Sequence, residues 1–330
     1  MDLSLIQMMH LVPFGLLRRM AGINPLIVNY HVVSDKRLPH IINLYAYRDI
    51  QTFKEDLDFF AGHYRPVSIF DVLDHLRGRI RLPNNSFLLT FDDGFCEIYD
   101  NVAPILLEKG IPATFFLTRD FIDNNVLGYD SKKSLIIDKI LSGHPIPEKL
   151  KGMTDFKTAE DLTSLVFNVS YSNRLWLDEI AGEMELDFSG YLKHVSPYLT
   201  SDQISKLLGQ GFAIGSHSLD HARFRELTLD EQLLQVKSST DYLCEKFSLQ
   251  YRVFAFPYSD ISISRDFFRK IEGSIDATFG TQGLLTDSIP SNFQRISVEK
   301  FPYPACPITK FYYFRRTIHR LIKKELIIRK

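Results

Sequence analysis

Two adjacent carboxylates follow an apolar stretch of this sequence, in the segment FLLTFDDGF from Phe87 to Phe95. Neighbouring carboxylates are unfavourable when buried, because each loses its hydration and repels the other unless a proton or a cation lies between them. Asp92 and Asp93 therefore indicate a site that binds positive charge. The sequence DDG is also typical of surface turns, so this interpretation needs support from other residues.

Two histidines provide that support. The segment GSHSLDH places His217 and His221 four residues apart, a spacing at which two imidazoles can bind one metal ion from a helical turn or a tight loop. With one of the aspartates they form a two-histidine, one-carboxylate set that leaves positions open for water and substrate. Zinc suits these ligands, and Co²⁺, Ni²⁺ or Fe²⁺ fit the same set. The other aspartate can then take a proton from a water whose pKa the metal lowers to about 7.

The chemically active residues follow predicted strands. Buried strands are predicted in LIVNY, FLLTF, IPATFFLT, FAIGSH and YRVFAF, with weaker ones in DATFG and QRISV, and helical patterns lie between them. This alternation is typical of parallel βα units and favours a barrel or an open parallel sheet. Reactive groups collect at the carboxyl ends of strands in both folds. Five candidates lie at such ends: His31, Asp92, Asp93, His217 and Tyr258.

The alternation stops between about residues 123 and 197, and we interpret this stretch as a mainly helical insertion. The 330 residues, 45% of them hydrophobic, suffice for one large catalytic domain or two smaller ones. A net charge of -1 gives no support for a nucleic-acid partner. Three scattered cysteines are too few for a disulfide framework or a CxxC metal site, which favours a reducing compartment.

Both ends of the chain have features that suit a membrane surface. Residues 1–25 form an apolar segment that makes a poor signal peptide, and Pro13 interrupts it before the roughly 20 residues that a bilayer span requires. Residues 311–330 form a basic amphipathic tail with seven basic residues and one acidic residue. Its apolar residues recur at helical spacing, which suits either an anionic membrane or a terminal helix packed on the barrel. These residues are Phe311, Phe314, Ile318 and Leu321.

The motifs TFDDG at 90–94 and SHSLDH at 216–221 resemble those of the polysaccharide deacetylases in the NodB-homology carbohydrate esterase family. The segment NVAPILLEKGIPATFFLT is also similar, so the resemblance covers about 26–121 and 200–298. It implies an α/β fold, a distorted (β/α) barrel of about seven parallel strands within residues 26–310. The insertion at 123–197 lies outside the resemblance.

The resemblance implies a role for each site residue. Asp92 corresponds to the catalytic base, and Asp93, His217 and His221 to the metal ligands. AFPYS partly matches the third motif, in which Pro257 and Tyr258 would form a wall of the substrate groove and the Tyr258 N–H would face the developing oxyanion. The arginine that steadies the base in this motif is missing. Arg295 can replace it in the predicted groove, or it is an ordinary surface arginine.

The late Leu-x-His motif, which supplies the general acid, is also missing from its usual place, and His319 lies in unsuitable basic surroundings. Some relatives look circularly permuted, with this strand at the front of the chain. LIVNYHVV resembles their version, which makes His31 the predicted general acid. The alternative is a histidine that is simply part of the core.

These assignments predict a metal-dependent hydrolase that removes an N-acetyl group from an amino sugar. The substrate would be a glycan or a lipid-linked glycan precursor of the cell envelope, and the enzyme would be cytoplasmic, at the inner face of the membrane. Two alternatives remain open at this stage. One is an amidase or deformylase that acts on another small molecule, and the other is an inactive glycan-binding module.

Overall fold

The computed structural model describes residues 12–153 and 156–330. Its strands are β1 (Leu26–Tyr30), β2 (Arg65–Pro66), β3 (Ser86–Phe91), β4 (Ala113–Leu117), β5 (Ala213–Ser216), β6 (Val253–Ala255), β7 (Ala277–Gly280), β8 (Thr286–Asp287), β9 (Asn292–Gln294), β10 (Ile296–Ser297) and β11 (Leu326–Ile327). Nine of them form one parallel sheet in the order β10-β1-β3-β4-β5-β6-β7-β9, with β2 beside β3. The prediction of a parallel (β/α) barrel is confirmed.

One short segment joins the two edges of this sheet. β9 pairs with β7, and after a single intervening residue, Arg295, β10 pairs with β1. β9 and β10 therefore act as one interrupted strand. Counted in this way, the barrel has seven main strands, with β2 as a short addition beside β3. β1, the first strand of the described residues, lies between β3 and β10. Tyr30 is in register with Phe91, so His31 and Asp92 leave their strands side by side.

Helices surround the sheet, and side-chain caps begin several of them. They are α1 (Phe14–Ala21), α2 (Ile50–His63), α3 (Ile69–Leu76), α4 (Ala103–Lys109), α5 (Tyr129–Leu141), α6 (Glu148–Met153), α7 (Ala159–Phe167), α8 (Trp176–Glu183), α9 (Phe188–Val195), α10 (Ser201–Gly209), α11 (Leu229–Phe247), α12 (Arg265–Ile271) and α13 (Ala305–Leu321). Thr228, for example, forms a reciprocal capping box with Glu231 at the start of α11. Phe53 and Phe60 of α2 pack their buried rings against the sheet.

The stretch predicted as an insertion contains α5 to α9, which lie between β4 and β5. Buried residues of α5, α7 and α8 form an apolar cluster separate from the main core, including Ile136, Leu162, Leu177 and Ile180. Polar contacts attach this unit to the loop after β1, where Asn43 donates to the carbonyl of Ser134 and Arg37 pairs with Asp138. The insertion is therefore positioned above the carboxyl ends of the first strands.

The two ends of the described chain contact each other. Arg320 Nη1 donates to the carbonyl of Met20, at 2.7 Å, and joins α13 to α1. α13 begins at Ala305, before the predicted tail boundary at 311, and two basic residues of the tail, Arg316 and Arg329, are buried. The first part of the predicted apolar segment, residues 1–11, lies outside the described residues. Among the helices described, none has the length and apolar character needed to span a bilayer.

Candidate active site

A cavity of about 420 Å³ opens at the carboxyl ends of the barrel strands. Most of the predicted site residues line it, because they follow β1, β3, β5 and β6 directly. Seven predicted residues line the cavity: His31, Asp92, Asp93, His217, His221, Tyr258 and Arg295. Pro257 is buried and is not part of the lining, so of the two predicted wall residues Tyr258 alone faces the cavity.

Asp93, His217 and His221 converge on one point. Asp93 Oδ1 lies 3.3 Å from His217 Nε2 and 3.2 Å from His221 Nε2. The three ligand atoms are within 4.8 Å of one another. Asp93 Oδ1 is buried, and no hydrogen-bond partner for it is found among the described residues. A buried carboxylate oxygen without a donor is costly, and a cation between the three side chains would satisfy it.

The hydrogen bonds of the rings favour a metal at this point. His217 Nδ1 lies 2.9 Å from the carbonyl oxygen of Ala255, which can only accept, so Nδ1 donates and Nε2 presents its lone pair to Asp93. Burial disfavours charge on His221, but Asp93 and Asp130 raise the pKa of His221 to about 10. The site thus stabilises positive charge between these side chains. Two imidazoles and one carboxylate fit Zn²⁺ and similar divalent ions.

The backbone at this site is held in an unusual conformation. Asp93, His221 and Tyr258 have φ values of 73°, 62° and 56°. These lie in the left-handed region, which residues other than glycine rarely adopt. Such conformations cost on the order of 1 kcal/mol each and persist where the surrounding structure enforces them. Their concentration around one cavity is typical of functional sites.

Asp92 is paired with a buried arginine. Arg295 Nη1 and Nη2 lie 2.7 Å and 2.8 Å from the two carboxylate oxygens, and Asn29 Nδ2 donates to Oδ2 at 3.0 Å. Arg295 is only 1% exposed, which excludes the alternative of an ordinary surface arginine. Burial opposes ionisation, but the charge of Arg295 outweighs it and holds the pKa of Asp92 below its usual value. Asp92 is therefore an ionised acceptor at neutral pH.

His31 is partly buried beside a carboxylate. Its Nδ1 contacts Glu299 Oε1, and its backbone N–H donates to Oε2 of the same residue at 2.9 Å. The side chain of His31 is 16% exposed and that of Glu299 is fully buried. Burial acts to lower the pKa of His31, but Glu299 raises it above its usual value. With Nδ1 bound to Glu299, Nε2 is the ring nitrogen left for a ligand in the cavity.

Aromatic and charged side chains of the insertion meet Tyr258 at the cavity wall. The Tyr258 hydroxyl bonds to Tyr129 at 2.8 Å and donates to Asp130. The Arg223 guanidinium lies 4.3 Å from the centre of the Tyr258 ring and donates to the Tyr129 hydroxyl. The insertion therefore forms one side of the cavity.

Sequence reasoning missed five residues that contact the predicted ones: Asn29, Tyr129, Asp130, Arg223 and Glu299. Two of them had a signal. Glu299 follows the strand in QRISV and Asn29 lies in the strand before His31, and polar groups near strand ends are candidates for a site. Asp130 gave no signal, because it lies in the insertion and reaches the site only through tertiary packing.

Comparisons with known proteins agree with this geometry. A family model described as polysaccharide deacetylase matches residues 79–272, more than half of the chain. The matched segment contains Asp92, Asp93, His217, His221 and Tyr258, whereas His31 and Arg295 lie outside it. No curated protein matches the sequence.

Several solved structures share the fold. Streptococcus pyogenes deacetylase PplD, in complex with acetate, is 14% identical with a TM-score of 0.55, over 87% of this chain and 98% of PplD. IcaB from Ammonifex degensii is 17% identical with a TM-score of 0.55, over 88% of this chain and 97% of IcaB. A de-N-acetylase from Aggregatibacter actinomycetemcomitans is 15% identical with a TM-score of 0.53, over 86% of this chain and 98% of its own.

Proposed function

The chain belongs to the polysaccharide deacetylase family, and on this basis we propose that it is a metal-dependent hydrolase that removes an N-acetyl group from an amino sugar. The observation that carries the metal dependence is the orphan oxygen of Asp93, which faces the Nε2 atoms of His217 and His221. Zn²⁺ is the ion that these ligands suit best, with Co²⁺, Ni²⁺ or Fe²⁺ as substitutes.

Asp92 is the proposed base. It lines the same cavity as Asp93 but is held by Arg295 and Asn29 rather than by the two histidines. Its carboxylate can accept a proton from an attacking water that enters the cavity. A divalent ion held by Asp93, His217 and His221 would supply Lewis acidity, polarising the acyl oxygen and lowering the pKa of water. The two adjacent aspartates thus have different tasks because they have different partners.

His31 is the proposed general acid. An amine is a poor leaving group until it is protonated, and the pKa of His31, which Glu299 raises, keeps the imidazolium available near neutral pH. Its Nδ1 contact to Glu299 orients Nε2 as the donor. The backbone N–H of Tyr258 is the proposed donor to the developing oxyanion. Its positive φ sets the direction of the peptide group after Pro257.

The substrate is proposed to be a glycan or a lipid-linked glycan precursor of the cell envelope. The decisive experiment is mass spectrometry of candidate N-acetylated glycans after incubation with Zn²⁺-loaded protein. We expect a product in which hydrogen replaces one acetyl group, and neither chelator-treated protein nor Asp92→Asn should form it. Turnover of N-formyl substrates alone would favour a deformylase instead. Binding without any turnover would favour a glycan-binding module.

We also propose that the two ends of the chain make a peripheral membrane contact. The protein would then lie at the cytoplasmic face of the membrane. The support for this contact is a set of exposed apolar and basic residues on α1, at the end of α13 and directly after it. The exposed apolar residues are Leu16, Met20, Leu321 and Ile322, and exposed basic residues beside them in sequence are Arg19, Lys323 and Lys324. Such a combination suits anionic lipid headgroups.

Vesicle sedimentation tests the membrane contact. The full chain should sediment with vesicles that contain anionic lipid and less with neutral ones. A variant with Leu321→Ser and Lys323→Ser should lose this binding while its activity on a water-soluble glycan stays unchanged. Equal sedimentation of both proteins, or none of the full chain, would contradict the contact.

A further inference from the structure

We propose that Asp130, which the helical insertion contributes, is a positioning residue that holds His221 in place to bind the metal. The insertion is then part of the catalytic centre as well as a wall of the substrate cavity. This inference rests on the proposed metal site at Asp93, His217 and His221. It assigns a function to a segment for which the sequence motifs gave none.

The two nitrogens of His221 face two carboxylates on opposite sides of the ring. Nε2 lies 3.2 Å from Asp93 Oδ1, and Nδ1 lies 3.6 Å from Asp130 Oδ2. At 3.6 Å this second contact is electrostatic and longer than a hydrogen bond. A carboxylate on this side of the ring favours the proton on Nδ1, which leaves the Nε2 lone pair free for the ion and makes it a stronger ligand.

The two histidines are oriented by different parts of the chain. His217 donates from Nδ1 to the carbonyl of Ala255 in β6, so the barrel itself fixes that ring. His221 lies on the loop after β5, outside regular helix or strand, with a left-handed backbone. Its ring has its outer partner on α5, in the insertion. Orientation of this second ligand therefore depends on the docking of α5 against the barrel.

Asp130 is itself fixed by three features. It lies in the first turn of α5, where the helix dipole favours a negative charge. Lys133 Nζ lies 3.2 Å from Oδ1; the Lys133 side chain is 1% exposed and that of Asp130 is 21% exposed. The Tyr258 hydroxyl donates to Oδ2. A carboxylate held at both oxygens cannot easily turn away from the histidine, which is the property a positioning residue needs.

The experiment measures Zn²⁺ affinity by competition with a fluorescent chelator, using the full-length chain. Asp130→Asn keeps the size of the side chain but removes its charge, and we expect Zn²⁺ binding to weaken by about 10–100-fold. Asp130→Glu restores the charge and should bind more tightly than the asparagine variant. Asp178→Asn is the matched control, because this aspartate lies on α8 in the same insertion and pairs with Lys132, away from the cavity lining. It should bind Zn²⁺ as the unmodified protein does.

Thermal denaturation of each variant, without added metal, separates loss of folding from loss of Zn²⁺ binding. If Asp130→Asn does not fold, Asp130→Ser is measured in its place. Equal Zn²⁺ affinity of the unmodified protein and a folded neutral variant would overturn the role of Asp130 and leave the proposed function intact. Failure of the unmodified protein to bind Zn²⁺ would overturn both. A loss of affinity in Asp178→Asn equal to that in Asp130→Asn would show that the effect comes from any lost negative charge in the insertion and not from the contact with His221.

Discussion

Arg295 and Asp92 are 203 residues apart in the sequence and form a buried two-point ion pair, with Nη1 to Oδ1 at 2.7 Å and Nη2 to Oδ2 at 2.8 Å. Arg295 is the single residue between β9 and β10, the segment that joins the edges of the sheet. The same Nη1 also contacts Asn29 and Thr90. The segment that closes the barrel thus also supplies the side chain that orients the proposed base.

Replacement of Arg295 should reduce both stability and turnover. Arg295→Met leaves the Asp92 charge buried without its partner, which we expect to lower the free energy of unfolding by about 3–5 kcal/mol. Arg295→Lys keeps the charge but cannot form two parallel hydrogen bonds, so it should recover only part of both properties. Denaturant unfolding and steady-state kinetics of the same samples measure the two effects.

A second buried arginine provides the control for this prediction. Arg316 donates to the carbonyl of Ala21 and lies outside the cavity lining. Arg316→Met should lower stability while the folded protein keeps its kcat. If Arg295→Met retains the kcat of the unmodified protein in its folded fraction, Arg295 has no role in orienting the base.

The barrel fold, and the placement of the four motif residues at one edge of its sheet, could be predicted because their sequence signals are local. Alternating buried strands and helices predict a parallel α/β fold, and residues that follow such strands share one edge of the sheet. Asp92, Asp93, His217 and His221 needed only this rule and their own motifs. The partner of Asp92 required knowledge of which strand closes the barrel, and that depends on pairing between distant segments.

Contacts made by the insertion and the tail could not be predicted from the sequence, for a different reason. Asp130 and Arg329 are charged residues, which are normally exposed, so composition alone places them in water. Arg329 is buried and Asp130 is partly buried, because each has a partner from another element. His221 lies beside Asp130, and Asp260 and Asp287 surround Arg329. Helical spacing in 311–330 predicted a helix, but it could not reveal which of its cations are covered.

The pH dependence of turnover should depend on Glu299. Burial lowers the pKa of His31 and Glu299 raises it more, with a net shift upward. A general acid must be protonated, so kcat should fall as the pH rises through this raised pKa. Glu299→Gln removes the negative charge and should move that fall to lower pH. Profiles of kcat against pH for the two proteins measure the shift, and coincident profiles would show that His31 is not the acid.

The same pair predicts a pH dependence of stability. Because the pKa of His31 is higher in the folded protein than in the unfolded chain, the pair contributes fully in mildly acidic solution, below the unfolded-state pKa. The contribution is lost as the pH rises through the folded-state value. Unfolding of Glu299→Gln should therefore differ from that of the unmodified protein more at acidic pH than at alkaline pH. A difference that does not vary with pH would contradict the ion pair.

Gly128 should be essential for the position of α5. A Cβ atom at this residue would lie 2.6 Å from Phe121 Cζ and 3.1 Å from the Tyr198 hydroxyl, two rings that are stacked and buried. Gly128→Ala should push the start of α5 outward, at a cost of about 1–3 kcal/mol in stability. Asp130 lies two residues further on, so Zn²⁺ affinity should fall too.

A glycine in the same insertion is the matched control for this change. Gly182 lies in α8, and a Cβ there meets open space. Gly182→Ala should stabilise the helix by about 0.5–1 kcal/mol and leave Zn²⁺ affinity unchanged. Thermal denaturation measures the stability of both variants, and the chelator assay measures their Zn²⁺ affinity. Normal metal affinity in Gly128→Ala would mean that the start of α5 can move without disturbing His221.

Arg329 should contribute strongly to stability although it lies next to the last residue of the sequence. The Arg329 side chain is 1% exposed, and its guanidinium pairs with Asp260 and Asp287. Asp260 also accepts hydrogen bonds from Asn292 and Gln294. Arg329→Met would leave two buried carboxylates without a cation, which should lower the free energy of unfolding by about 3–5 kcal/mol. Lys330→Ala, an exposed neighbour, should have no effect on denaturant unfolding. Similar midpoints for both variants would mean that these carboxylates are satisfied by other groups.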